Sequence, residues 1–280
     1  MSHEDYRMYR GDETIPTRVF DQTALGSDLC RYYASFRKTL PTFETFHKHG
    51  ITYNVSSGNL PQDLSMAGGT YTGHPYTLGE TVHIFSTSAS DSALGTGART
   101  VEIKGLDTNR FIISEIITMN GTTPVVSANI YTRVDTLTVL TAGSTGKTVG
   151  TIYARHSVTT ANVFVTLPPG INRSTNSFVS TPTSRSLILR NIQLNIVKFS
   201  APASPEVAEF TLFAKEGTKQ YSAYEPYRRY HVYSSNDSAT VYDDYVFLDS
   251  GVDAKFTVTE LSGNNIKCSA RFDVYMVDSR

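Results

Sequence analysis

The residues best suited to chemistry are few, and their spacing works against it. His47 and His49 stand two apart with Glu44 upstream. On a strand the two imidazoles would share a face, which suits a divalent metal, but no third ligand follows at a workable interval. We read them as a solvated loop pair. Asp243-Asp244, with the scattered Asp107, Asp135 and Asp253, offers oxygen ligands for calcium, yet no calcium-loop pattern joins them. The run Gly143-Ser144-Thr145-Gly146-Lys147-Thr148 has the composition of a phosphate cradle. Only Ser144 and Thr145 separate its first glycine from the Gly-Lys pair, where four residues are needed for backbone N–H groups to wrap a phosphate. A predicted strand follows it, so the helix N-terminus that should face the phosphate is missing. There is no Gly-x-Ser-x-Gly elbow to expose a nucleophile. Arg10-Gly11-Asp12 matches an integrin-type tripeptide, which recurs by chance in a chain of this length. The sequence names no catalytic residue, no metal ligand and no cofactor site.

Contact chemistry is better represented. Tyr221, Tyr224, Tyr227, Tyr230 and Tyr233 recur every third residue through YSAYEPYRRYHVY, with Arg228 and Arg229 among them. Tyrosine is rigid and amphipathic, so it contributes contact area at little entropic cost. A subunit interface is the first reading; internal loop packing and a glycan or nucleic-acid patch are the others. A second stripe lies upstream. Leu29, Tyr32, Tyr33 and Phe36 fall at helical spacing, with Ser27 or Asp28 as N-cap and Pro41 as terminator. This predicts one short amphipathic helix over 28–38. Its stripe either packs on its own β-domain or docks on a neighbouring subunit.

The elements that must carry these residues read as strand and turn. Strands are predicted at 81–86, 100–104, 111–119, 129–140, 148–155 and 162–167. A second series covers 187–199, 209–215, 228–233, 240–248, 254–261 and 265–277. In the last strand Cys268, Ala270, Phe272, Val274 and Met276 face one way, and Lys267, Ser269, Arg271, Asp273 and Tyr275 the other. Gly105 to Asn109 makes a tight connection, and Asn120-Gly121 between apolar runs is a strong hairpin signal. The segment 54–76 reads as a long loop. Pro168-Pro169-Gly170 and the Ser/Thr/Asn-rich 171–184 read as a boundary. The expected architecture is all-β: an N-terminal arm with its short helix (1–55), then two antiparallel sandwich or jelly-roll-like domains (56–168 and 169–280).

Composition narrows the partners. Charged residues make up 18% and the formal net charge is -1, so nothing pulls the 280-residue chain as a whole toward nucleic acid or membrane. No run approaches the roughly 18–20 apolar residues of a membrane span, and the polar N-terminus has no signal-peptide core. Cys30 and Cys268 read as free thiols of a protein folded in a reducing cytoplasm. The sequons at Asn54, Asn120, Asn172 and Asn236 then have no glycosylating compartment.

The order Gly95-Thr96-Gly97-Ala98-Arg99-Thr100-Val101, Gly105-Leu106-Asp107, Ser114-Glu115, Asn120-Gly121-Thr122-Thr123-Pro124-Val125, Ala142-Gly143-Ser144 and Gly150-Thr151-Ile152 resembles a recurrent block in structural proteins of tailed phages, chiefly virion proteins of aquatic phages. The match covers about a quarter of the chain. It implies a non-enzymatic virion component such as a capsid decoration, vertex, collar or tail protein, with structural rather than catalytic glycines. The implied partners are copies of itself, as a trimer or ring, and major capsid, neck or tail proteins. Neither a membrane nor a direct nucleic-acid role is expected. The alternatives are a host-recognition adhesin binding a surface glycan, and a depolymerase, for which paired carboxylates are not identifiable.

Overall fold

The computed structural model describes residues 44–66, 78–198, 206–219, 222–233, 240–242 and 245–278. The predicted helix, with Leu29, Tyr32, Tyr33 and Phe36, lies outside them, as does Tyr221. Thr45–Arg280 form one compact unit.

The fold is all-β with antiparallel pairing. Among the described residues seventeen strands run β1 (Glu44–Val55), β2 (Gln62–Asp63), β3 (Val82–Ser86), β4 (Ala98–Leu106), β5 (Ile112–Thr118), β6 (Val125–Val126), β7 (Arg133–Ala142), β8 (Ile152–His156) and β9 (Val163–Leu167), then β10 (Val179–Ser180), β11 (Arg185–Lys198), β12 (Val207–Glu216), β13 (Glu225–Tyr233), β14 (Thr240–Tyr242), β15 (Val246–Leu248), β16 (Val252–Leu261) and β17 (Ile266–Asp278). They build four sheets. One has the order β1-β17-β11-β14, with β15 also on β11, and a second has β10-β16-β12-β13, with β2 on β16. The other two are β6-β3-β8-β9 and β5-β4-β7.

Two hydrophobic cores result. The larger gathers Leu187, Leu194, Cys268 and Phe272 from the first sheet with Phe210, Leu212, Phe256 and Val258 from the second. Phe256 and Phe272 meet at its centre with ring centroids 5.2 Å apart. The smaller core unites Val82, Ile84 and Ile152 with Val101, Ile103 and Leu137. Alternation along β17 is as read from sequence: Cys268, Ala270, Phe272, Val274 and Met276 are all buried. Burial pushes the Cys268 thiol up to about 12. In a Cys30→Ser background, Cys268 is therefore expected to resist a disulfide reagent in native buffer and to react fully in denaturant, as a colorimetric thiol count would show.

Three expectations change. Residues 44–55, assigned by sequence to the arm, form β1 beside β17, and Val55 belongs to the larger core. Asn120-Gly121 does turn the chain, with Gly121 at φ 61°, but it closes no hairpin. It carries the chain from β5, paired with β4, to β6, paired with β3. Segment 171–184, read from sequence as a boundary loop, is largely buried. Ser174, Asn176, Ser177, Phe178, Val179 and Thr181 are buried there. Its hydroxyls and amide replace a regular ladder. Ser174 Oγ accepts the Leu137 N–H, Ser177 Oγ accepts that of Phe256, and Thr181 Oγ1 donates to the Asp249 carbonyl. Small polar residues can cross an interior in this way because their own side chains satisfy the backbone.

Candidate functional site

The described members of the tyrosine series sit on and beside β13, the edge strand of its sheet. A three-residue repeat cannot stay on one face of a strand whose side chains alternate every second residue. Tyr230 therefore turns inward, 5% exposed, while Tyr227 and Tyr233 are 50% and 62% exposed. A register shift between Leu212 and Phe213 leaves Tyr227 without a partner in the pairing with β12 and helps to turn it outward. Tyr224 is half-buried, its ring 4.9 Å from the Lys215 ammonium and 4.6 Å from that of Lys255. The series thus does three jobs, and only part of it can meet a partner.

Residues the periodicity did not mark extend that exposed part. Val241, Tyr245 and Phe247, on or beside β14 and β15, are each between 42% and 59% exposed. Tyr227 Oη donates to the Phe247 carbonyl at 3.2 Å, and Tyr242 Oη donates to the His231 carbonyl. These bonds join the edge of one sheet to the edge of the other. The result is an aromatic border at the rim of the larger core, in which the tyrosines keep their hydroxyls wet or hydrogen-bonded.

A second feature is buried and charged. The tip 107–111 between β4 and β5 is braced by Asp107, whose Oδ1 accepts the N–H groups of Asn109 and Phe111. Arg110, at φ 60°, is held in the left-handed region that a long side chain rarely adopts. Its guanidinium enters the larger core's sheet and meets Asp253 Oδ1 at 2.8 Å. Arg133, from β7, reaches Asp253 Oδ2 at 2.6 Å. The carbonyl of Gly217 accepts from both guanidiniums, and that of Thr181 from Arg110. A Cβ on Gly217 would lie 2.4 Å from Asp253 Oδ2, so any larger residue there would have to displace the clamp's side chains. Burial alone would raise the Asp253 carboxyl; the Arg133 and Arg110 charges outweigh it and hold the group at about 2. Farther along, Lys255 Nζ donates to Asp63 Oδ2 at 2.7 Å. This clamp fastens the smaller core's strands to β16 of the larger.

Neither feature offers turnover chemistry. The calcium candidates are separated by their duties: Asp107 caps a turn, Asp253 is neutralised by arginines, and Asp243-Asp244 lies outside the described residues. Asp135 is half-buried near Lys48, and desolvation raises its carboxyl pKa. His47 and His49 are on β1, not in a loop, and His47 Nδ1 pairs with Asp273 Oδ1 at 2.6 Å. Among the described residues no group of three or more His, Cys, Asp or Glu could hold a metal, and no helix is long and apolar enough to cross a membrane. The 143–148 run is a turn with Gly146 at φ 66°, and Thr145 Oγ1 is spent on the Thr96 carbonyl. No family model, no curated protein and no solved structure matches the chain.

Proposed function

We propose that this chain is a non-enzymatic structural protein of a tailed-phage particle, built as two β-sandwich-like domains and held by neighbouring copies in a ring or trimer. The observation that carries the reading is the aromatic border of Tyr227, Tyr233, Val241, Tyr245 and Phe247. It exposes apolar area on sheet edges, where an unpaired strand invites another chain. The arginine–aspartate clamp supports it, because a part that transmits load between neighbours needs its two cores fixed. The block resemblance supplies the particle, and a low charge density suits extensive, partly wet interfaces.

Two measurements test the reading. Sedimentation of the full chain is expected to show a closed oligomer that the pair Tyr227→Ser with Phe247→Ser dissociates by about tenfold or more without lowering the melting temperature. A monomer at every concentration would remove the self-association. Quantitative mass spectrometry of virus particles from cells producing this chain should count at least about three copies per particle, as a closed trimer or ring requires. Its absence from particles would end the virion assignment.

A further inference from the structure

The outer face of the β1-β17-β11 sheet forms one wall of a polar cleft of about 480 Å³. Thr136 of β7 and residues 173–176 form the opposite wall. Its lining carries the cations Lys48, Arg173 and Arg271 together with His47 and His49, and includes no Asp or Glu. Two acids border it: Asp273, of which one oxygen pairs with His47 and the other accepts from Asn191 Nδ2 at 2.7 Å, and Asp135, close enough to Lys48 for their charges to interact. A protein of net charge -1 has here a local positive basin.

The cleft's polar groups are unusually unspent. Lys48 is 7% exposed and donates to the Asp135 carbonyl at 3.0 Å and Asn176 Oδ1 at 3.2 Å, leaving its third N–H without an acceptor among the described residues. The Thr175 hydroxyl is buried and has no hydrogen-bond partner among the described residues. Gln193 and Asn195 line the cleft from β11 with carboxamides able to donate and accept at once. Burial, then Arg271 and Lys267, depress His49, so its ring is a neutral donor–acceptor near physiological pH.

We propose that this cleft binds an acidic saccharide, a sugar unit carrying a carboxylate or sulfate. Arg173 and Arg271 take the anionic group, and guanidinium forks match its paired oxygens. Gln193, Asn195, Thr175 and His49 take the ring hydroxyls. The volume falls within the range of small-ligand sites, roughly 300–1,000 Å³. The lining has no aromatic ring beyond histidine on which a nucleobase could stack, which argues against single-stranded nucleic acid. This inference does not rest on the assembly role: no residue of the aromatic border lines the cleft, although Val241 pairs with Gln193 across the same face of the sheet.

Titration calorimetry on the full chain tests it with a uronic-acid tetrasaccharide, a sulfated tetrasaccharide, a neutral glucan tetrasaccharide, inorganic sulfate and a short oligothymidylate. One acidic saccharide at least is expected to bind with Kd on the order of 10 μM to 1 mM. The neutral glucan should give no heat. Arg173→Ala with Arg271→Ala should weaken binding by about tenfold or more while leaving the melting temperature unchanged, because both side chains are exposed. Asn195→Ala should weaken the saccharide and not sulfate. The proposal is overturned if neither acidic saccharide binds, if sulfate alone binds as well (an adventitious ion only), if the oligothymidylate binds more tightly, or if the arginine pair can be removed without effect.

Discussion

Asp253→Ala is expected to lower the unfolding free energy by about 3–5 kcal/mol, because it leaves two buried guanidiniums facing each other without their shared counter-ion. Arg110 and Arg133 are 5% and 3% exposed, so neither can recover hydration by a small movement. The loss should appear as a melting temperature roughly 10 °C lower. Asp253→Asn keeps the volume and separates charge from shape; it should cost nearly as much. The triple change Arg110→Met, Arg133→Met, Asp253→Leu should regain part of the loss, since apolar groups of similar size can replace a buried ion cluster. Recovery stays incomplete, because the carbonyls of Gly217, Thr181 and Thr132 lose their donors. A melting temperature for Asp253→Ala within a degree or two of the parent would show that the clamp holds nothing.

The same carboxyl sets an acid limit. Its folded value of about 2 lies below the ordinary 3.8, so between them the unfolded chain binds more protons. This contribution is fully present above the ordinary value and is lost as pH falls through about 2. Asp135 runs the other way. Its carboxyl is raised by burial, so stability falls as pH climbs from its ordinary value through the raised one. The acid limb for Asp253→Asn should therefore be flatter than the parent's below about pH 4 and parallel to it above.

How much of this was visible in the chain depends on the distance between partners. β17 is legible because five buried side chains alternate with five outward ones in one uninterrupted run, and β4 because buried Val101 and Ile103 alternate with Thr100, Glu102 and Lys104. β1 is not. Its HKHGITYNV sequence buries Lys48 and Thr52 among polar neighbours, and a lysine at a core position reads as surface until its acceptors are known. The clamp was invisible for a stronger reason. Arg133 and Arg110 find Asp253 at separations of 120 and 143 residues, and no local pattern marks a charge that will be paired so far away. The tyrosine repeat erred in the opposite direction. Its regular spacing suggests a single surface, but the strand period sends Tyr230 inward and Tyr227 and Tyr233 outward.

Asp91→Ala should be as damaging as loss of the clamp, about 3–5 kcal/mol, although nothing in the sequence singles this residue out. Asp91 is fully buried. Its Oδ1 accepts the N–H groups of Ala98 and Val149 at 2.7 and 3.0 Å; Oδ2 accepts the Gly150 N–H at 2.8 Å and the Ser86 hydroxyl at 2.6 Å. GTGARTV, through Ala98, and GTI, through Gly150, thus converge on one carboxylate. The glycines follow from the crowding around it. A Cβ on Gly97 would lie 2.0 Å from Asp91 Oδ1, and one on Gly143 would lie 2.2 Å from the Gly95 carbonyl oxygen. Removing the carboxylate strands two buried backbone donors, Ala98 and Gly150, at roughly 1–3 kcal/mol each, and a part-buried one, Val149, which water can reach. Asp91→Asn is the sharper variant. Its amide N–H₂ must face either the Ala98 and Val149 donors or the Gly150 donor, so it loses an acceptor and adds a donor–donor clash. Hydrogen exchange should then accelerate at Ala98, Val149 and Gly150 before it does in β16 or β17, which belong to the larger core. Uniform acceleration across both cores would mean that the block is no separate unit, and unchanged exchange at those amides would show that Asp91 does not organise it.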